Sequence, residues 1–262
     1  MNRFLFSFVK KTVLGFTRIV GYRQSEDKII EESAIFWNST DGSRFRSHSH
    51  WLGDDGLSTE VWLELGKEHR SLFERFLKLT NLETPLKRVV EWGCGGGANA
   101  IHFAKLAVQF IGVDVSEDSL SQCDKVLKDA GISNFLPVHV NLAKPEEAIE
   151  RIQGPCDFFL CTYVFELLPS QAYGKRLLDI AFKLLSPGGF AMIQIKYSTT
   201  EARTKSRMWG YKYNVANMTT FPIDCFWELS KEAGFEPLAL TLLPRQELVG
   251  DERYAYFFLS RR

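Results

Sequence analysis

From Arg88 to Tyr197, short runs of β-branched and aromatic residues alternate with longer stretches in which apolar side chains return every three or four positions. The runs "RVVEW", "VQFIGVD", "FLPVHVN", "CDFFLCTY" and "GGFAMIQIKY" are nearly continuous in apolar residues. Strands of that kind, separated by helices, belong to a parallel sheet covered on both faces. Helix ends are marked too. Ser116 followed by Glu117 and Asp118 opens one helix, Gly131 closes it, and Pro187-Gly188-Gly189 ends another. The last two runs, "FEPLALTLLP" and "RYAYFFLSRR", have about nine residues and no helical pattern between them, which predicts an antiparallel hairpin on the sheet edge. The fold class expected is α/β: a doubly wound, mostly parallel seven-stranded sheet with its last strand reversed.

Upstream the pattern is helical. "TEVWLELGKEHRSLFERFLKL" places Val61, Leu65, Leu72, Phe76 and Leu79 at near-helical spacing, and "SEDKIIEESAIFW" is an acidic helical segment. Between them "NSTDGSRFRSHSHWLGDDG" is a polar connector carrying Arg44, Arg46, His48, His50 and Trp51, a loop with work to do. In "MNRFLFSFVKKTVLGFTRIVGYR", Arg3, Lys10, Lys11 and Arg18 fall on one helical face, and Leu5, Phe8, Val9, Val13, Phe16, Ile19 and Val20 on the other. Such a basic amphipathic helix suits a peripheral membrane contact through residues 1–23, and equally a lid over a site. Lys10 and Lys11 interrupt the apolar stretch and no small-residue cleavage site follows, so it is not a signal peptide. Residues 1–84 are thus expected as a helical extension or lid and 85–262 as the ligand-binding domain.

Charge and cysteines narrow the partners. Thirty-two basic residues balance thirty-two acidic ones, so no global field draws the chain to nucleic acid and recognition must be local. Cys94, Cys123, Cys156, Cys161 and Cys225 are odd in number and lack paired metal-ligand spacing, which favours reduced thiols in a cytoplasm and no metal. No apolar run approaches the ~20 residues of a membrane span.

The candidate chemistry sits in "VVEWGCGGGANAIHFA", where glycines cluster directly after a strand. In a doubly wound sheet, ligands bind beyond the C-terminal strand ends, where a bare backbone permits close approach. Gly93, Gly95 and Gly97 are placed for that. Gly93, Gly95 and Ala98 also satisfy the dinucleotide fingerprint, with Asp114 ending the next strand as a ribose ligand. The deciding residue is Glu91, whose carboxylate near the first turn suits a ligand ammonium and opposes a pyrophosphate.

Together "EWGCGGG", "IGVDVS", "CTYVFELLP", "LLSPGG" and the closing hairpin resemble the class I S-adenosylmethionine-dependent methyltransferases over residues 87–262. The resemblance implies that Gly93, Gly95 and Gly97 cradle the methionine part of S-adenosylmethionine, with Glu91 near its amino group. It implies Asp114, followed by Val115, at the ribose hydroxyls, Asn141 at the adenine amino group and Leu142 on the ring. Cys161, Thr162 and Tyr163 would line the pocket beside the reactive methyl. Where relatives read "VLEHLP" this chain reads "VFELLP", so Leu167 replaces a histidine, and Glu166 is left either as a helix-start carboxylate or as a site residue.

Methyl transfer needs alignment and dryness, and a base only where the acceptor must lose a proton. His48 and His50 are candidates for that base, since in an extended loop they project to one side; His69, His102 and His139 are expected to be structural. The stretch "KYSTTEARTKSRMWGYKYNVANMTTFP" interleaves Lys196, Arg203, Lys205, Arg207 and Lys212 with Tyr197, Trp209, Tyr211 and Tyr213, against one acid, Glu201, in its first nineteen residues. Cations with aromatic faces suit an anionic, flat or sugar-like ligand. The expected acceptor is a small molecule or glycan-like compound, methylated at oxygen. An NAD(P)-dependent oxidoreductase, and a non-catalytic module that uses its N-terminal helix on a membrane or partner, stay open as alternatives.

Overall fold

A computed structural model describes residues 22–39, 45–80 and 86–262. The basic amphipathic helix expected at 1–23 falls, except for Tyr22 and Arg23, outside the described residues, as does Arg44. Seven strands, β1 Leu86–Trp92, β2 Ala107–Asp114, β3 Phe135–His139, β4 Cys156–Cys161, β5 Leu185–Lys196, β6 Glu236–Gln246 and β7 Asp251–Ser260, form one sheet in the order β3-β2-β1-β4-β5-β7-β6. The first five are mutually parallel, and β7 runs antiparallel to both β5 and β6. The expected sheet is present, with the reversed strand inserted between β5 and β6.

Period-two alternation divides the core. Val90, Ile111, Phe159, Ile193 and Phe257 face one layer, with helices α7 (Gln171–Leu184) and α9 (Ile223–Glu232). Val89, Phe110, Phe158, Met192 and Phe258 face the other, with α3 (Thr59–Leu77), α4 (Ala100–Phe103) and α5 (Glu117–Asp129). Neighbouring residues in one strand therefore serve opposite layers. α5 begins at the expected N-cap: the Ser116 hydroxyl accepts from Ser119 N, and Gly131 beyond its end has φ +74°. The stripe on α3 differs from the one expected. Trp62, Leu65, Gly66, His69, Leu72, Phe73 and Phe76 are buried, while Leu79 is exposed beyond the helix.

A third, smaller core lies over the C-terminal ends of the strands. It joins α1 (Glu26–Trp37) and α2 (Phe45–His48) to α8 (Tyr211–Asn214) and the turn after it, through Ile29, Phe36, Trp37, Phe45, Tyr211, Val215 and Met218. Backbone ties hold this cap: Gln24 N donates to Met208 O (2.8 Å), Gly210 N to Gln24 Oε1 (2.6 Å) and Tyr211 N to Glu32 Oε2 (2.9 Å). One short helix, α6 (Glu147–Arg151), completes the described helices. None of them is long and apolar enough to cross a membrane.

Candidate functional site

From β1 the chain turns to β2 on one side and reaches β4 on the other, so a crevice opens beyond the ends of β1 and β4. The glycine turn fills its floor. Gly93 has φ +75° and Gly95 φ +50°, and a Cβ at Gly95 would stand 2.2 Å from the Ser49 carbonyl oxygen. Gly96 N donates to that same oxygen at 2.7 Å. The turn is bare partly because the connector between α1 and α3 rests directly on it, not solely to admit a ligand.

Two acids stand at the floor, Asp114 in the lining of the crevice and Glu91 buried outside that lining. Asp114, at the end of β2, accepts from Gly95 N and Ser116 N, each at 2.9 Å and each on a different oxygen. These amides fix the carboxylate and leave each oxygen a further lone pair. Burial raises its pKa, against the lowering effect of the amide bonds. Glu91 pairs in register with Gly112 and Leu160 at the centre of the sheet and is 2 % exposed. Its Oε1 accepts from Asn99 Nδ2 (2.8 Å), whereas its Oε2 has no partner. Burial pushes the carboxyl up to about 8; Asn99 opposes the shift and Asp114's charge adds to it.

Asn99 is a residue the sequence reading missed. Its Nδ2 also donates to Thr162 Oγ1 (2.9 Å), and its Oδ1 meets His69 Nδ1 at 2.7 Å. Because that amide oxygen can only accept, His69 carries its proton on Nδ1, and its Nε2 accepts from the Tyr256 hydroxyl at 3.2 Å. His69 is thus a buried link; His102 and His139 meet the carbonyls of Leu63 and Val115.

Above the glycine turn a narrow cavity of about 80 Å³ runs between sheet and cap. Its floor is Trp92, Gly93, Gly95, Asp114, Val115 and Leu142; its roof is Ser33, Trp37, His48 and Ser49; Tyr163, Leu167, Leu168, Tyr173 and Tyr211 form the far wall. The Tyr173 hydroxyl donates to Leu142 O (2.7 Å), and Tyr211 donates to Leu167 O (2.9 Å) while accepting from Trp37 Nε1 (2.9 Å). Apart from Asp114 and the titratable His48, no ionisable acid or base other than the tyrosines lines it among the described residues.

Several expected site residues lie elsewhere. Asn141 is exposed, and its Oδ1 accepts from Ala143 N (2.8 Å) in a turn, so only its neighbour Leu142 reaches the cavity. Cys161 is fully buried in the core, Thr162 faces Asn99, and Gly97 packs against α5. The histidines do not project together from an extended loop. His48 ends the turn of α2 on the cavity wall, while His50 has φ +51° and sets its ring edge-on to Tyr163, centroids 4.7 Å apart, outside the cavity lining. Burial lowers the His48 pKa, with Asp251 opposing, and pushes His50 down to about 3, with His69 and His48 adding. Tyr163 lines the cavity with φ +57°, but burial raises its phenol far above the ordinary value. Glu166, 2 % exposed in the turn Phe165–Leu167, is pushed up to about 7 by burial and lies behind the wall.

Of the basic stretch, Lys196, Arg203 and Arg207 line a second, separate pocket together with Arg245, Arg253, Asp251 and Glu252. Lys196 is buried and paired with Asp251 (2.6 Å), Arg203 with Glu201 (2.6 Å) and Glu252 (3.1 Å), Arg207 meets Asn214 Oδ1 (3.4 Å) and Lys212 lies over the Tyr213 ring (4.9 Å). With exposed Lys205, none lines the cavity above the glycine turn.

Comparison with known proteins places this geometry among relatives. A family model described as "Methyltransferase domain" matches residues 63–240. A protein of Rickettsia prowazekii without an assigned activity is 27% identical over 154 residues, covering 57% of this chain and 56% of that protein. A ubiquinone biosynthesis O-methyltransferase of Burkholderia vietnamiensis is 30% identical over 124 residues, 47% of this chain and 49% of its own length. The chain spans about half the length of these curated relatives. Among solved structures, a SAM-dependent methyltransferase from Methanosarcina mazei superposes with TM-score 0.54 at 12% identity, over 69% of this chain and 94% of that one. The N-methyltransferase NodS of Bradyrhizobium japonicum does so with TM-score 0.51 at 15% identity, over 74% and 96%. These likenesses establish the fold.

Proposed function

We propose, from the premise that the chain belongs to the methyltransferase-domain family, that it transfers a methyl group from S-adenosylmethionine to a hydroxyl oxygen on the aromatic ring of a small acceptor. The floor residues fit that cofactor. Glu91 holds an unpartnered buried oxygen suited to an ammonium, and Asp114 is a fixed carboxylate with lone pairs for two ribose hydroxyls. A dinucleotide's pyrophosphate would face Asp114 and, among the described residues, no Lys or Arg in the lining. When bound, S-adenosylmethionine supplies an electrophilic methyl group.

The protein's part is to align, to exclude water and to take up a proton. Tyr163, Tyr173 and Tyr211 in the far wall and Trp37 in the roof give the cavity flat apolar faces, and His48 brings to the roof an imidazole whose pKa burial lowers. His48 accepts the proton of the acceptor hydroxyl as the oxygen attacks. The observation that carries this assignment is the cavity's lining among the described residues: aromatic walls, one histidine, and no lysine or arginine for an anionic group. The O-methyltransferase relative supports oxygen as the target.

A panel of phenols, sugars and amines with methyl-labelled donor tests it. Label is expected on phenolic oxygen, and transfer solely to amines or sugars would refute the acceptor class. Burial lowers the His48 pKa from its ordinary value, so kcat/KM should rise with pH to a plateau, with the rising limb at lower pH than an ordinary imidazole would give. His48→Ala should lose that rising limb and about a hundredfold in turnover, whereas His50→Ala, outside the cavity, should keep both.

A further inference from the structure

The inward stripe of α1 is Ile29, Ser33, Phe36 and Trp37, at i, i+4, i+7 and i+8, and Ser33 is the polar member of it. A serine within a helix ordinarily returns its hydroxyl to the carbonyl four residues back. Ser33 does not: its Oγ is buried, the residue is 1 % exposed, and the oxygen has only the neighbouring Tyr211 hydroxyl within reach, without a well-formed hydrogen bond to it. The residue lines the cavity next to Tyr211. The Tyr211 hydroxyl is engaged on both sides, accepting from Trp37 and donating to Leu167 O. A poorly satisfied hydroxyl in an apolar stripe is destabilising where alanine would pack without loss. It stands on the same roof as His48, and both lie before residue 63, where the family match begins.

We infer that Ser33 is a specificity-determining residue that hydrogen-bonds a second oxygen on the acceptor ring, so that the preferred acceptor is an aromatic carrying two oxygen substituents, one at His48 and one at Ser33. This rests on the aromatic-hydroxyl assignment above. Ser33 moves no proton in the reaction. Its hydroxyl selects among rings that the aromatic walls alone would hold alike.

The test is calorimetric titration of the protein loaded with S-adenosylhomocysteine, using phenol and the 1,2-, 1,3- and 1,4-dihydroxybenzenes as probes. At least one dihydroxybenzene should bind about tenfold more tightly than phenol. Ser33→Ala should erase that preference, leave phenol and S-adenosylhomocysteine affinities unchanged, and keep or raise the melting temperature, since a poorly satisfied buried group is removed. Ser33→Thr, which keeps the hydroxyl, should retain the preference. An unchanged preference in Ser33→Ala, or equal losses for phenol and the dihydroxybenzenes, overturns the role of Ser33 while leaving the aromatic acceptor standing. Failure of every probe to bind the loaded protein overturns both.

Discussion

Glu91 shows how one side chain couples ligand charge to protonation. Its pKa lies near 8 in the folded chain against an ordinary 4.5, because its surroundings are apolar and Asn99 alone donates to it. The folded value is the raised one, so the native state binds the extra proton and stability falls as pH rises from about 4.5 through about 8. Glu91→Gln should therefore raise the melting temperature of the ligand-free protein at pH 8 while weakening S-adenosylhomocysteine binding tenfold or more. The ligand's ammonium restores the carboxylate, so binding to the parent at pH 7 should release a proton from Glu91. Calorimetry in two buffers of different ionisation enthalpy reads that proton, and the Gln variant should lose it. A variant with lower stability and unchanged proton release would show that Glu91 does not meet the ligand.

At the scale of elements, the glycine turn and the connector above it are one unit. Gly95→Ala places a methyl 2.2 Å from the Ser49 carbonyl and puts a β-carbon on a backbone at φ +50°. The expected outcome is a loss of about 1–3 kcal/mol with faster proteolysis in residues 45–51 and weakened cofactor binding, because His48 and Ser49 leave the roof together. Unchanged proteolysis with lost binding would mean the methyl acts on the ligand alone. The same unit marks what the sequence could express. Strands were legible because buried parallel strands must be apolar on both faces, and the hairpin because no helical pattern separated its arms. The stripe of α3 was shifted because Gly66 and His69 do not count as apolar in a periodicity, yet His69 is buried by its bonds to Asn99 and Tyr256. His48 and His50 were misplaced because an extended chain was assumed where a helical turn and a left-handed residue occur. The cations of the 196–212 stretch looked free because Asp251 and Glu252 arrive from β7, at the far end of the chain. Ser33 and Trp37 gave no signal beyond an ordinary helix face, since nothing local says what that face covers.

Across the whole molecule, the cavity is a seam between the sheet and a cap with its own small core. A ligand in the seam touches Asp114 from below and His48 or Trp37 from above, so binding couples two parts otherwise joined by a modest set of backbone ties. Ligand-linked stabilisation should therefore be readable in thermal unfolding. S-adenosylhomocysteine at 100 times its Kd stabilises by about 2.7 kcal/mol, which for a chain of this size is a rise of roughly 5–10 °C in Tm. Asp114→Ala removes the carboxylate but not the strand, and its loss weakens binding by about 1.5–3 kcal/mol, a factor of ten or more. At the same ligand concentration the variant's rise above its own ligand-free Tm should shrink to less than about half, and that ligand-free Tm should fall below the parent's, because Gly95 N and Ser116 N lose their acceptor. NAD should move neither protein. A rise in the variant equal to the parent's would remove Asp114 from the cofactor site, and a rise with NAD would reopen the dinucleotide assignment that Glu91 argues against.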